Sequence, residues 1–397
     1  MNKTSPNILL IALESINNVG DEMLRATTEH ILGSSLSINA EIEVAQLKPA
    51  FIYIKENYRF RWFVSAVIRR FLNRFRLKGC YRLRNLFYRT AYTRYFEERI
   101  KTTDYIILPV GMLKYSTQDF GYLFHIINKL ATKYNKPVLM SAMSPQDANY
   151  KDWRYHQLVE AVNMPSVRMV TTRDGQKGVE IIRKDYINRE IICEYVGDPA
   201  LWIPECYGIE QKKNRGAIKK PYVGINIIRE GIFEDYNKSF TDEKMFQLYV
   251  QLIELVNAKG WRWSVYTNGM ASDWVVLRKL QQHIGFSDEH IIPQYNSAKD
   301  YVARIAEFDV VFGARLHACI TSVALGVPVV GFIWENKLKY FSDTMGISQF
   351  FFSPQEMTAE RIVNQMEEAM LFDFDFENRD RYKQRTIESF KKFIELS

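Results

Sequence analysis

The stretch Asp309-Val310-Val311-Phe312-Gly313-Ala314-Arg315-Leu316-His317-Ala318-Cys319-Ile320 decides the fold. A short apolar run, Asp309–Phe312, ends in Gly-Ala and gives way to a second apolar stretch that continues to Leu325. Gly326-Val327-Pro328 closes that stretch and opens another β-rich run, Pro328–Phe332. The pattern reads as strand, turn, helix, turn, strand. It also accounts for the uncharged segment Ala318 to Trp334, whose central Gly-Val-Pro argues against a membrane span. Apolar strands joined through helices predict a parallel sheet covered on both faces.

The same alternation extends in both directions. On the C-terminal side of the chain, further strands are expected at Tyr222–Ile228, Trp261–Thr267 and His290–Pro293. In the first half they are expected at Asn7–Leu13, Ile38–Ala45, Asp104–Pro109, Pro137–Ser141, Met169–Thr172 and Ile191–Val196, with helices such as Asp21–Leu32 and Asp119–Lys133 between them. The rhythm breaks after Trp202, where Glu205 to Pro221 is polar and basic and reads as an interdomain linker. The expectation is an α/β chain of two Rossmann-like doubly wound domains facing across a cleft. Residues 1–205 form the first domain, 206–221 the linker, 222–375 the second domain, and 376–397 a C-terminal helix. Ligands of such folds bind at the carboxyl ends of the strands.

A chain of 397 residues with 47% hydrophobic and 25% charged residues has ordinary globular composition, which excludes a disordered or collagen-like protein. Cys80, Cys193, Cys206 and Cys319 stand too far apart for a paired motif, so neither a metal site nor a disulfide framework is expected, and the reducing cytoplasm is the compartment they fit. The first apolar run, Ile8 to Leu13, is short and ends at Glu14, as a buried strand does and an export segment does not.

Charge is unevenly spread. Lys55–Lys101 holds 14 Lys/Arg against three Glu, a local balance of +11 in a chain of net +7, so the remainder is net acidic. Twelve aromatics are interleaved there. Phe63, Val67, Phe71 and Phe75 recur every four residues beside Arg69, Arg70, Arg74 and Arg76, giving a basic amphipathic helix of the kind that lies on an anionic membrane surface. A plainer reading makes the aromatics core contacts of an inserted helical pair with solvated arginines. Nucleic acid is not expected as a partner, because no nucleic-acid motif accompanies the patch.

Arg315 and His317 fall where a strand becomes a helix. A helix N-terminus carries about half a positive charge and free N–H groups, so an anion is favoured there. Arginine adds a planar fork for carboxylate or phosphate, and histidine moves a proton near neutral pH. The bland alternative makes Arg315 a structural pair and His317 a core histidine. Lys337 follows the strand Pro328–Phe332, in a loop that faces the same edge. In the first half, Thr171-Thr172-Arg173-Asp174 places another arginine at a strand end, for which a surface Arg173 and a helix-capping Asp174 is the plainest account. Asn18-Val19-Gly20-Asp21-Glu22 follows the first strand and opens a helix, and Val196-Gly197-Asp198-Pro199-Ala200 ends the last strand of the first half.

Taken in order, these pieces resemble the polysaccharide pyruvyl transferases: Asn18 to Glu22, the strand Asp104–Leu108, Arg173-Asp174, Val196 to Ala200, Gly224-Ile225-Asn226, Gly313 to His317, Ala324 to Val329, and Lys337. The Arg-Leu-His turn followed by Gly-Val-Pro and a lysine is the most specific part. Two features depart from the family pattern: Leu108 to Leu113 holds one glycine where the family often has two or three, and Lys55–Lys101 has no counterpart in the core pattern.

The resemblance implies a glycosyltransferase-like (GT-B) fold whose last helix crosses back to the first domain. It implies transfer of a pyruvyl group from phosphoenolpyruvate to two hydroxyls of a sugar, forming a cyclic ketal and phosphate without a cofactor or metal. Arg173, Arg315 and Lys337 would bind the donor, and His317 and Arg315 would be catalytic, with His317 the general acid. Asn18, Asp21, Asn226 and Arg229 would be further cleft residues. Lys55–Lys101 would dock the enzyme on the inner face of the cytoplasmic membrane beside a lipid-linked acceptor. Two other functions stay open: a nucleotide-sugar glycosyltransferase on the same fold, with Glu335 the nearby acid for a ribose, and an inactive binding protein of polysaccharide assembly.

Overall fold

The computed structural model describes residues 5–13, 18–35, 40–48, 60, 63, 64, 67, 81–116, 120–212, 218–235 and 240–396. The chain forms two compact units. One comprises residues 1–14, 29–196 and 387–397, and the other comprises residues 15–28 and 197–386.

In the first unit, strands β1 (Asn7–Ala12), β2 (Glu41–Gln46), β3 (Tyr105–Leu108), β5 (Val138–Met140), β7 (Val167–Thr172) and β8 (Ile192–Tyr195) form a parallel sheet in the order β2-β1-β3-β5-β7-β8. Two short strands, β4 (Met112–Leu113) and β6 (Ser144–Pro145), pair beyond the ends of β3 and β5. Helices α2 (Tyr81–Ile100), α3 (Phe120–Lys133), α4 (Trp153–Val162) and α5 (Gly175–Asp185) belong to this unit, while α1 (Val19–His30) is given mostly to the other. Its core joins Leu9, Ile106, Phe124, Leu158 and Val170, all fully buried. Each such side chain contributes roughly 1.5–3 kcal/mol on burial.

Besides residues 15–28, the second unit holds a 3-10 turn, Pro199–Trp202, and α6 (Ile203–Tyr207) and continues through β9 (Tyr222–Asn226), α7 (Ile232–Asp235), α8 (Asp242–Ala258), β10 (Arg262–Tyr266) and α9 (Ala271–Ile284). Then follow α10 (Ala298–Glu307), β11 (Val310–Gly313), α11 (Leu316–Leu325), β12 (Val329–Phe332), α12 (Asn336–Met345), β13 (Phe351–Phe352), α13 (Ala359–Leu371) and α14 (Phe376–Glu395). The sheet is parallel in the order β10-β9-β11-β12-β13. The chain runs outward from β9 to β10 and then returns to place β11 on the other side of β9. The connections diverge there, and the gap above β9 and β11 is where ligands settle in such sheets.

Helix α11 shows how the deciding stretch folds. Its residues from Ala318 to Leu325 are buried, and Gly326 ends it with φ +69°, a left-handed conformation that favours glycine. The uncharged run Ala318–Trp334 is therefore helix, turn and strand, as its central Gly-Val-Pro predicts.

Several expectations are corrected. His290–Pro293 is not a strand: Ile291 makes a single bridge to Val265, and a 3-10 turn, Asp288–His290, precedes it. The units divide at Val196/Gly197 instead of near 205, because Ala200, Leu201 and Ile203 enter the second unit's core. Residues 15–28 also leave the first domain, for Val19 and Met23 join that same core. The described part of the expected linker is anchored on the second unit. Lys212 donates its backbone N–H to Leu325 O (2.7 Å), and its ammonium reaches the Phe308 carbonyl and Asp309 (3.6 Å).

The final helix serves both units. Near its start, Tyr382 O accepts the Gly197 N–H at 3.0 Å, so closely that a Cβ on Gly197 would lie 2.7 Å from that oxygen. Near its end, Phe393 packs edge-on against Tyr105 and Lys392 pairs with Glu194 in the first unit.

Candidate active site

At the carboxyl end of β11 the chain is held by side chains from neighbouring strand ends. Asn226, the last residue of β9 and fully buried, accepts the Arg315 N–H through Oδ1 (2.9 Å) and donates through Nδ2 to Asn268 Oδ1 (2.9 Å). Asn268, beyond β10, also accepts the Tyr301 hydroxyl (3.3 Å), and its carbonyl accepts the Val19 N–H (3.1 Å). This buried network joins the start of α1, the ends of β9 and β10, and the turn before α11. Buried polar groups that are all partnered fix one geometry. From the other side, Trp334 Nε1 donates to Ala314 O (2.6 Å).

His317 occupies the first turn of α11 and is half-buried. Gly20, in the first turn of α1, lies directly against its imidazole: a Cβ on Gly20 would be 2.2 Å from Nδ1 and 2.6 Å from Cγ. Asn18 caps α1, accepting the Gly20 N–H on Oδ1 (3.3 Å), and Asp21 is buried beside it. Two helix N-termini therefore meet at His317. A third, that of α12, begins at Asn336 immediately after Trp334 and Glu335.

Arg315 and Lys337 each carry a carboxylate partner. Arg315 is side-on to Asp273, with Nε donating to Oδ2 (3.2 Å) and Nη2 to Oδ1. Asp273 lies in the first turn of α9 and is fully buried. Burial pushes its carboxyl above the ordinary value, and Arg315, with the Arg229 backbone N–H and charge, pulls it back. Arg229 donates Nη1 to Glu230 O (2.9 Å). Lys337 is not in a loop, as its sequence context implied, but in the first turn of α12, where it pairs with Glu335 and lies 5.1 Å over the Trp334 ring. Sequence reasoning nominated Arg315 and Lys337 as cations and missed Asp273 and Asn268. Glu335, the nearby acid of the nucleotide-sugar alternative, pairs with Lys337.

Arg173 belongs to the first unit, while Asn18, Asp21, Asn226, Arg229, Arg315, His317 and Lys337 all belong to the second. Neither plain expectation for Arg173-Asp174 holds. Arg173 is buried instead of superficial, donating Nε to Ser144 Oγ (3.1 Å) and Nη2 to Gly111 O (3.0 Å). Asp174 makes no side-chain cap and accepts the Ser144 hydroxyl (2.8 Å). Gly111, the single glycine after β3, has φ +69°, the conformation that turns its carbonyl to Arg173. Arg69, Arg70, Arg74 and Arg76 lie outside the described residues, and Phe60, Phe63 and Val67 of the same stretch are exposed. Among the described residues no helix is long and apolar enough to cross a membrane.

Solved structures match along nearly the whole chain at low identity. The UDP-GlcNAc 2-epimerase of Methanocaldococcus jannaschii is 9% identical, with a TM-score of 0.56 over 97% of this chain and 99% of its own. That of Neisseria meningitidis, bound to UDP-GlcNAc, is 11% identical with a TM-score of 0.55 over 97% and 100%. The UDP-forming α,α-trehalose-phosphate synthase of Burkholderia vietnamiensis is 9% identical with a TM-score of 0.51 over 98% and 94%. Likeness at this identity shows the fold alone, α/β with two Rossmann-like domains of the GT-B type. No curated protein matches the sequence. The family of polysaccharide pyruvyl transferases matches residues 18–336, a span that opens at the Asn18 cap and closes on the first turn of α12. With this match over most of its length, and the Arg-Leu-His turn set at the strand ends of its second unit, the chain belongs to the polysaccharide pyruvyl transferase family.

Proposed function

We propose that the protein transfers the pyruvyl group of phosphoenolpyruvate to two hydroxyls of a sugar in a cell-surface polysaccharide or its lipid-linked precursor, forming a cyclic ketal and releasing phosphate. The observation that carries the proposal is the meeting of His317 with the N-terminal turn of α1, at the strand ends that also hold Arg315 and, on α12, Lys337. Phosphoenolpyruvate bears a carboxylate and a phosphate. Helix N-termini favour such anions, and arginine and lysine add charge-assisted hydrogen bonds.

In the proposed reaction His317, as imidazolium, gives its proton to the methylene carbon, making the methyl group and leaving cationic character on the central carbon. One sugar hydroxyl adds to that carbon and gives its proton to the now neutral His317. The carbon–oxygen bond to phosphate breaks, with Arg315 and Lys337 stabilising the departing anion, and the second hydroxyl closes the ring, its proton passing to the released phosphate. Arg173 is proposed as a further donor contact. The acceptor class follows from the family, while the lipid-linked form is part of the proposal. The exposure of Phe60, Phe63 and Val67 supports docking of the basic stretch at the inner membrane face.

Thermal shifts with phosphoenolpyruvate, UDP-GlcNAc and inorganic phosphate test the donor. Ligand at 100 times its dissociation constant stabilises by about 2.7 kcal/mol, a shift of several degrees. A shift with phosphoenolpyruvate above that with phosphate, lost in Arg315→Ala, is expected. A shift with UDP-GlcNAc alone overturns the donor assignment. His317→Ala is expected to lower turnover by roughly 10²–10⁴-fold. Cosedimentation with anionic liposomes, abolished on deleting residues 55–78, tests the docking.

A further inference from the structure

We propose that Asp273 is a positioning residue of this site, clamping Arg315 side-on so that the Nη1 end of its guanidinium is presented to an oxyanion of the ligand. The inference rests on the reading that this ligand is phosphoenolpyruvate, and it assigns a role to a residue that no sequence motif marks.

Three observations carry it. First, Asp273 uses only one edge of the guanidinium, Nε and Nη2. Among the described residues Nη1 has no protein partner, although the side chain is only 15% exposed. An arginine buried to this degree with one donor end unspent is arranged for a ligand acceptor. Second, both ends of the pair are fixed. The Arg315 N–H is bound by Asn226 Oδ1 at 2.9 Å, and Asp273 is fully buried in the first turn of α9, where the Arg229 N–H also reaches it. Third, the Glu335–Lys337 pair is built differently: its members are two positions apart at one helix end, with side chains 21% and 18% exposed. Asp273 reaches Arg315 from another helix, 42 positions away, and is fully buried, so its carboxylate acts as a bracket.

A bracket of this kind requires arginine. Lysine has one nitrogen, and on satisfying Asp273 it has no second, fixed edge for the ligand.

The test uses the full chain with phosphoenolpyruvate as the probe, in Asp273→Asn, Arg315→Ala, Arg315→Lys and the double variant Asp273→Asn/Arg315→Ala. If Asp273 orients Arg315, Asp273→Asn weakens phosphoenolpyruvate binding by about tenfold or more, and the double variant is little worse than Arg315→Ala alone. Arg315→Lys then binds no better than Arg315→Ala. Equal or tighter binding by Asp273→Asn marks Asp273 as a mere counter-charge and overturns the proposal, as does near-normal binding by Arg315→Lys.

A readout free of the donor accompanies these: the ¹H–¹⁵N resonance of Arg315 Nε. A resonance sharp in the parent and lost in Asp273→Asn supports the clamp even if the parent binds no phosphoenolpyruvate, in which case only the donor reading fails. A resonance unchanged by Asp273→Asn overturns the clamp. Should Asp273→Asn not fold, Arg315→Lys and the parent's Nε resonance still decide the question.

Discussion

Gly20 lies so close to the imidazole of His317 that a single methyl group on its α-carbon would fall 2.2 Å from Nδ1. The two residues are nearly three hundred positions apart, on the first turns of α1 and α11, yet both belong to the second unit. Within a helix, replacing glycine by alanine ordinarily gains about 0.5–1 kcal/mol. Here the new methyl would press on Nδ1, Cγ and Cε1 together, so the ring must leave its place or the helices must part. Gly20→Ala is therefore expected to lower turnover toward the level of His317→Ala, by roughly 10²-fold or more, without the usual helix gain. Steady-state rates beside thermal unfolding check it, and an active, stabilised variant would show that the ring's position is immaterial.

Asn226 carries more of the second unit's geometry than its single side chain implies. Replacing it with alanine leaves the Arg315 N–H without its acceptor and takes from Asn268 Oδ1 the shorter of its two hydrogen bonds, the Tyr301 hydroxyl remaining. Each buried polar group left without a partner costs about 1–3 kcal/mol. Asn226→Ala is expected to lower the melting temperature of this unit by several degrees, at about 2–4 °C per kcal/mol for a body of this size. Asn226→Asp keeps the acceptor for Arg315 but sets a buried carboxylate oxygen against the acceptor Asn268 Oδ1, so its loss should be at least as large. Calorimetry on the three proteins checks both expectations.

What was legible in the sequence follows from how each feature is encoded. The turn from Gly313 to His317 could be read because an apolar strand, an arginine and a histidine, and an apolar helix closed by Gly326 follow one another without interruption. Strands buried on both faces announce themselves in the same local way, as Val310–Gly313 and Val329–Phe332 do. Asp273 could not be read. It precedes Arg315 by 42 positions in an ordinary polar helix start, where an acidic residue is favoured by the helix dipole alone. The division at Val196/Gly197 was hidden for a related reason, since Ala200, Leu201 and Ile203 are apolar enough for either core and only the fold decides which one takes them. Ile291 and Ile292 look like a strand in sequence, but Pro293, which has no N–H to donate, follows them after one bridge.

Ser144 is the hinge of the polar cluster in the first unit, accepting from Arg173 Nε and donating to Asp174 Oδ1. Ser144→Ala removes both bonds while leaving two charged, buried neighbours in place. The expected cost is about 1–3 kcal/mol of stability. If Arg173 also contacts the donor, affinity for phosphoenolpyruvate falls with it, because the guanidinium loses its bond to Ser144 Oγ. Chemical denaturation together with titration calorimetry reads both. Full stability in the variant would show that Ser144 is dispensable for holding Arg173.

On the proposed reading, Glu335 and the donor compete for the same cation, Lys337. In the structure Lys337 is paired with Glu335, so an anionic ligand at the start of α12 must either share the lysine or displace the carboxylate. Glu335→Gln removes that competitor, keeps the side chain's shape and leaves Lys337 over the Trp334 ring. Phosphoenolpyruvate is then expected to bind more tightly, by a few-fold, since breaking a partly exposed ion pair costs up to about 1 kcal/mol. The nucleotide-sugar alternative predicts the opposite sign, because there Glu335 would hold a ribose hydroxyl and its loss would weaken UDP-GlcNAc. Titrating both ligands against parent and variant therefore tests the donor and the lysine together. Tighter phosphoenolpyruvate binding in Glu335→Gln, abolished by adding Lys337→Met, is the expected result, and unchanged binding in both variants removes Lys337 from the donor site.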